Sequence, residues 1–103
     1  MTDIKHPDDC RSMLDVRAGV DATDRELMAL LDRRFGYMRA AARIKPSRDS
    51  VRDEKRKAAV IDAARAEAES RGLPAEAIAD LWDKLVEASI AYEFEEWDRT
   101  RRS

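Results

Sequence analysis

The sequence predicts an all-α fold: a three-helix protomer with one very long first helix, assembled as an intertwined homodimer. Three observations carry this. Apolar residues recur at three-, four- and seven-residue steps over most of the chain, which is the helical period. Charged residues make up 41% and aromatics only 6%, a balance rich in Ala, Leu, Glu and Arg that favours helices over sheets. The breakers are few, three Gly and three Pro in 103 residues, so few points are left at which a helix must end.

Taken in order, Pro7 followed by Asp8 and Asp9 predicts a helix start, since proline suits the first turn and carboxylates favour its positive end. From there Met13, Val16, Val20, Leu27, Leu31, Met38 and Ala42 keep the helical period to about Lys45. Pro46 stops it, because proline lacks the N–H and pushes the preceding residue out of helical geometry. The stretch PSRDSVRD has loop composition. A second helix is expected from about Asp53 to Ser70, closed by Gly72 and the Leu73-Pro74 turn. A third is expected from about Pro74 to Arg101, with Arg99, Arg101 and Arg102 suited to its negative end.

A first helix of roughly 36 residues would be ~54 Å long, whereas a globule of ~100 residues has a radius of gyration near ~13 Å. Its apolar seam would stay wet unless a second copy packed along it, which is the ground for expecting a homodimer. The alternative is a kink at Gly19 or Gly36 that makes a four-helix monomer. Residues 1–103 are read as one helical domain. A net charge of −2 gives no ground for nucleic-acid or membrane partners. A polar start without a signal-peptide core, no run of ~20 apolar residues and a single cysteine, Cys10, lead us to expect a soluble cytoplasmic protein.

The chemistry-bearing residues are cations on the seam. Arg34 falls in the series Leu27, Leu31, Arg34, Met38, and Lys45, eleven residues later, returns to nearly the same face, ~20° away. Arg17 lies between Met13 and Val20, seventeen residues before Arg34, or ~25 Å along one helix axis. Arg17 and Arg34 of one helix therefore cannot grip one small molecule, but in an antiparallel dimer Arg17 could enter the other subunit's site. A permanent charge on a buried seam needs an anion to meet it. A small dicarboxylate fits that need, while stems lying on the seam with heads in water would leave the cations merely solvated.

On the third helix Trp82, Val86, Ser89, Glu93 and Trp97 share a face, which puts Glu93 on an apolar stripe. Desolvation there favours the neutral acid, a hydrogen-bond donor, and a salt bridge to one of the arginines is the other reading. His6 and Cys10 have no metal-ligand or catalytic spacing, and no phosphate loop, zinc motif or Ser-His-Asp pattern is present. Positioning and electrostatics are what such a chain offers.

The run DVRAGVDATDRELMALLDRRFGYMRAAARIK, residues 15–45, resembles the first helix of the all-helical (AroQ-class) chorismate mutases. The PDDC start, the VD..D.EL..LL.RR core, the Y..AA.R.K end and the final W..TR resemble in particular the isochorismate pyruvate lyase subgroup of salicylate and siderophore biosynthesis. The likeness covers nearly the whole chain. It implies that Arg17 of the partner subunit and Arg34 hold two substrate carboxylates. Lys45 would face the ether oxygen that gains negative charge. The segment VRDEKR resembles the part that closes the site, through Asp53 and Arg56, and Ser89 and Glu93 match the family's third-helix positions.

Two departures bear on the reaction. Many mutases carry a glutamate that binds the ring hydroxyl where this chain has Lys57, and Glu93 stands where the lyase has glutamine. A glutamate there must be protonated to donate to the ether oxygen, so activity is expected to fall as pH rises through its titration, and Glu93→Gln to flatten the profile. The expectation is a cofactor-free chorismate mutase making prephenate. Isochorismate pyruvate lyase is the second reading, and a non-catalytic helical dimer acting as an interaction module the third.

Overall fold

The computed structural model describes residues 3–102, and among them every regular element is helical. The α-helices are α1 (Met13–Ile44), α2 (Glu54–Ser70) and α3 (Ala75–Thr100), with single 3₁₀ turns at Pro7–Asp9 and Arg48–Ser50. The chain divides into two compact units, 1–36 and 37–103, described in turn. Among the described residues no helix is long and apolar enough to cross a membrane.

In the first unit the expected helix start at Pro7 is corrected. Residues Pro7–Asp9 make only a 3₁₀ turn, Cys10 is extended, and α1 begins at Met13. The cause is local capping. Ser12 Oγ accepts from the Asp15 N–H at 3.2 Å, and Asp15 in return accepts from the Arg11 N–H at 3.0 Å. This satisfies donors that a helix start leaves open, in the manner of a capping box with the shorter Asp in place of Glu. Lys5 reaches the same carboxylate at 3.2 Å and ties the N-terminal segment to α1. The Arg11 N–H first, then Lys5, hold the Asp15 carboxyl below its ordinary range.

The seam residues of this unit lie open on the single chain: Met13, Val20, Leu27 and Met28 are each about half exposed or more. The groove between the N-terminal segment and α1, lined by Ile4, Pro7, Cys10, Val16 and Val20, contains none of the predicted site residues.

The second unit holds the core. Val51, Val86 and Ile90 are buried together, with Val60, Phe94 and Trp97 packed against them. Small residues, Ala42, Ala68 and Ala79, are buried as well. Asp53 is the N-cap of α2, its carboxylate accepting from the Arg56 N–H at 3.0 Å. Gly72, at φ 70°, closes α2, with the Leu73 N–H on Ala68 O at 2.9 Å and the Gly72 N–H on Glu69 O at 3.1 Å. That is the Schellman pattern, and the left-handed residue it requires favours glycine. Pro74 then starts α3.

Candidate functional site

In the second unit the residues expected from the α1 terminus and the α3 stripe meet. Lys45 follows the last residue of α1, still hydrogen-bonded to Ala41 O at 2.9 Å, before Pro46 turns the chain. Its ammonium lies 2.7 Å from Glu93 Oε2 and donates to Val51 O at 3.2 Å. The Glu93 side chain is 5% exposed and that of Lys45 29%, so the pair sits at the core's edge with the cation on the open side. The contact lies off the hydrogen-bonding directions, and buried Glu93 Oε2 is left without a hydrogen bond. Such an atom is costly unless something else completes it. Among the described contacts, Glu93 is paired with a cation of the same site, Lys45.

Ser89, one turn before Glu93 on α3, is buried, and its Oγ donates to Leu85 O at 2.7 Å. Of the predicted stripe, Val86, Ser89 and Glu93 are buried on α3 and Trp82 and Trp97 half-buried, with Ile90 buried beside them.

Other predicted residues stand differently. Asp53 spends a carboxylate oxygen on capping α2, and Arg56 is exposed in that helix's first turn. Arg17 is exposed and Arg34 half-buried, both on the α1 segment of the first unit.

Lys57 points to α3, 2.8 Å from Glu87 and 3.1 Å from Asp83, and Arg52 shares Glu87 at 2.9 Å. The Arg52 and then the Lys57 hydrogen bonds pull the Glu87 carboxyl down to about 2, while Glu87 and then Asp83 push the Lys57 ammonium above its ordinary value.

The residues around Lys45 that sequence reasoning missed are Trp97 and Arg101. Trp97 Nε1 donates to Lys45 O at 3.1 Å, and Arg101 reaches the same oxygen at 2.9 Å. Arg101 was expected to serve the negative end of its own helix. Its side chain turns instead to the end of α1, whereas Arg99 stays local, 2.6 Å from Glu96. The signal was in the sequence: Pro46 strips the next N–H from the end of α1, so its carbonyls need outside donors.

A helical chain that sets a lysine against a buried carboxylate, with a serine one turn away, has the features of a class that works by electrostatics. The chain belongs to the chorismate mutase type II family, whose model matches residues 16–94. It is also 32% identical over 98 residues, covering 95% of this chain and 97% of the other, to the isochorismate pyruvate lyase of Pseudomonas aeruginosa.

Proposed function

We propose that this protein is a chorismate mutase, rearranging chorismate to prephenate without a cofactor. The observation that carries the reading is the Lys45–Glu93 pair: an ammonium 2.7 Å from a buried carboxylate oxygen that has no hydrogen bond. The reaction breaks an ether bond whose oxygen gains negative charge, and a preorganised cation at that oxygen favours the transition state over the ground state. Lys45 is the donor to that oxygen. Glu93 orients the ammonium.

Arg34 and, from a second copy of the chain, Arg17 hold the two carboxylates, which keeps the flexible substrate in its compact reactive shape. Ser89 belongs to the same substrate surface, and Asp53 and Arg56 shape the start of α2 beside it. The second copy covers the open seam of α1, whose Met13, Leu14, Val20 and Met28 are more than half exposed in the single chain. A contiguous apolar stripe of this kind favours association.

Isochorismate pyruvate lyase activity is the second reading. Two observations favour it: the likeness to the Pseudomonas enzyme over nearly its whole length, and Lys57, held by two carboxylates where many mutases carry a glutamate. Incubating the purified protein with chorismate and with isochorismate, each followed by NMR, tests both. Prephenate from chorismate supports the mutase. Salicylate and pyruvate from isochorismate, with chorismate unchanged, replaces it by the lyase, and inertness towards both defeats the enzymatic reading.

A further inference from the structure

The W..TR ending of α3 plays no part in the chemistry proposed above, yet it converges on Lys45. Arg101 lies just past the last turn of α3 and sends its guanidinium to the end of α1. It donates to Ala42 O at 2.7 Å, Lys45 O at 2.9 Å and Arg43 O at 3.5 Å. Thr100 Oγ1 accepts from the same guanidinium at 2.9 Å and donates to Trp97 O at 3.1 Å. Trp97 Nε1 adds a second donor to Lys45 O, and the guanidinium lies 4.4 Å over the Trp97 ring.

The last carbonyls of a helix have no partner within it and carry its negative end, so a cationic fork is suited to them on both counts. On the far side of Lys45, Arg48 is pinned by both oxygens of Asp98, at 2.9 and 3.2 Å, and lies 4.6 Å over Phe94. The backbone is therefore tied to α3 both at Lys45 and three residues beyond it.

We propose that Arg101, with Trp97 and Thr100, is a positioning residue for Lys45: a clasp that fixes the backbone from which the ammonium is presented. Arg101 touches no reacting atom. Its contribution rests on the role given to Lys45 above. The planar fork serves several carbonyls and stacks on the indole together, which a lysine cannot do, so Arg101→Lys restores the clasp only in part.

The test is a double-mutant cycle on kcat and KM with Arg101→Ala, Lys45→Ala and the double variant, on whichever of chorismate and isochorismate the wild type converts. A displacement of ~1 Å at a reacting group costs about 100-fold, so Arg101→Ala should lower kcat by about that factor with KM changed less than about threefold. In the Lys45→Ala background the same substitution should cost less than about threefold more, because the group it positions is gone. An equal factor in both backgrounds, a loss confined to KM, or no loss overturns the clasp. Should Arg101→Ala melt near the assay temperature, Trp97→Phe, which removes the indole N–H and part of the ring under Arg101, should give a smaller loss with the same dependence on Lys45.

A wild type inert towards both substrates defeats the functional reading alone. The clasp is then decided by amide hydrogen exchange. Arg101→Ala should speed exchange over residues 43–51 at least about tenfold while α2 is unchanged. Uniform acceleration, or none, overturns it.

Discussion

Replacing Lys45 by methionine separates what the Lys45–Glu93 pair does for stability from what it does for catalysis. Methionine replaces the aliphatic stem, one atom shorter than lysine, but leaves the Glu93 carboxylate, 5% exposed, without its cation. Removing one partner of a buried ion pair costs about 3–5 kcal/mol. Lys45 is 29% exposed, so water can reach part of the vacated space, and the lower end, ~3 kcal/mol, is expected. For a chain of this size that is a fall in Tm on the order of 10–20 °C.

Converting Glu93 to leucine in the same protein removes the stranded charge and should restore stability to within ~1 kcal/mol of wild type. Activity should not follow. Lys45→Met and the double variant should both lose at least about 100-fold in kcat, the usual loss on removing one donor to a developing oxyanion. Melting curves at one fixed protein concentration, because association shifts Tm, together with kcat on the same preparations, make the measurement. A double variant as unstable as Lys45→Met would refute the buried-charge reasoning. One that keeps its activity would refute Lys45 as the donor.

Arg34→Ala should cost about 3–4 kcal/mol of transition-state stabilisation, read as a loss on the order of 100- to 1000-fold in kcat/KM with the fold intact by circular dichroism. The Glu87 carboxyl, held at about 2 against an ordinary 4.5, binds fewer protons folded than unfolded between those values. Its stabilisation is present above pH 4.5 and is lost as pH falls towards 2, so urea midpoints should decline over that window and decline less steeply in Glu87→Gln. Lys57→Glu sets a third carboxylate beside Glu87 and Asp83 and should lower Tm, while Lys57→Met, which adds no like charge, should lower it less. If the resemblance to mutases extends to the ring hydroxyl, Lys57→Glu should also lower KM for chorismate relative to wild type.

What was legible in the sequence followed from periodicity and from breakers. The α2 and α3 boundaries fall within a residue of expectation because Asp53, Gly72 and Pro74 each have one conformational use. The α3 stripe was legible too, since three of its five positions, Val86, Ser89 and Glu93, are buried at helical spacing. The start of α1 was misread because Pro7-Asp8-Asp9 carries the same composition as a helix N-terminus. The S-x-x-D pattern at Ser12–Asp15, which does the capping, is a pairing rather than a composition signal. The pairing of Glu93 with Lys45 and the turn of Arg101 onto α1 join residues 48 or more positions apart. Helical phase gives the face a residue occupies, but it does not give which neighbour that face meets.

Two lysines of the second unit were brought forward by sequence, and their surroundings separate them. An ammonium has three donors. Lys57 has two carboxylates at 2.8 and 3.1 Å, and Arg52 reinforces Glu87, the nearer of them. Both of its partners are carboxylates, so its charge is already matched and Lys57 is a structural cation. Lys45 has one carbonyl at 3.2 Å and one carboxylate whose 2.7 Å contact is off the hydrogen-bonding direction. Among the described contacts, then, a third donor of Lys45 is unspent and a second is poorly used, on the side of the pair that is open. A further anionic oxygen finds Lys45 matched by one carboxylate, and Lys57 by two. On the role proposed for Lys45, that asymmetry lets it gain a stronger bond as negative charge builds on a reacting oxygen, and gain between ground and transition state is the only kind of binding that accelerates a reaction.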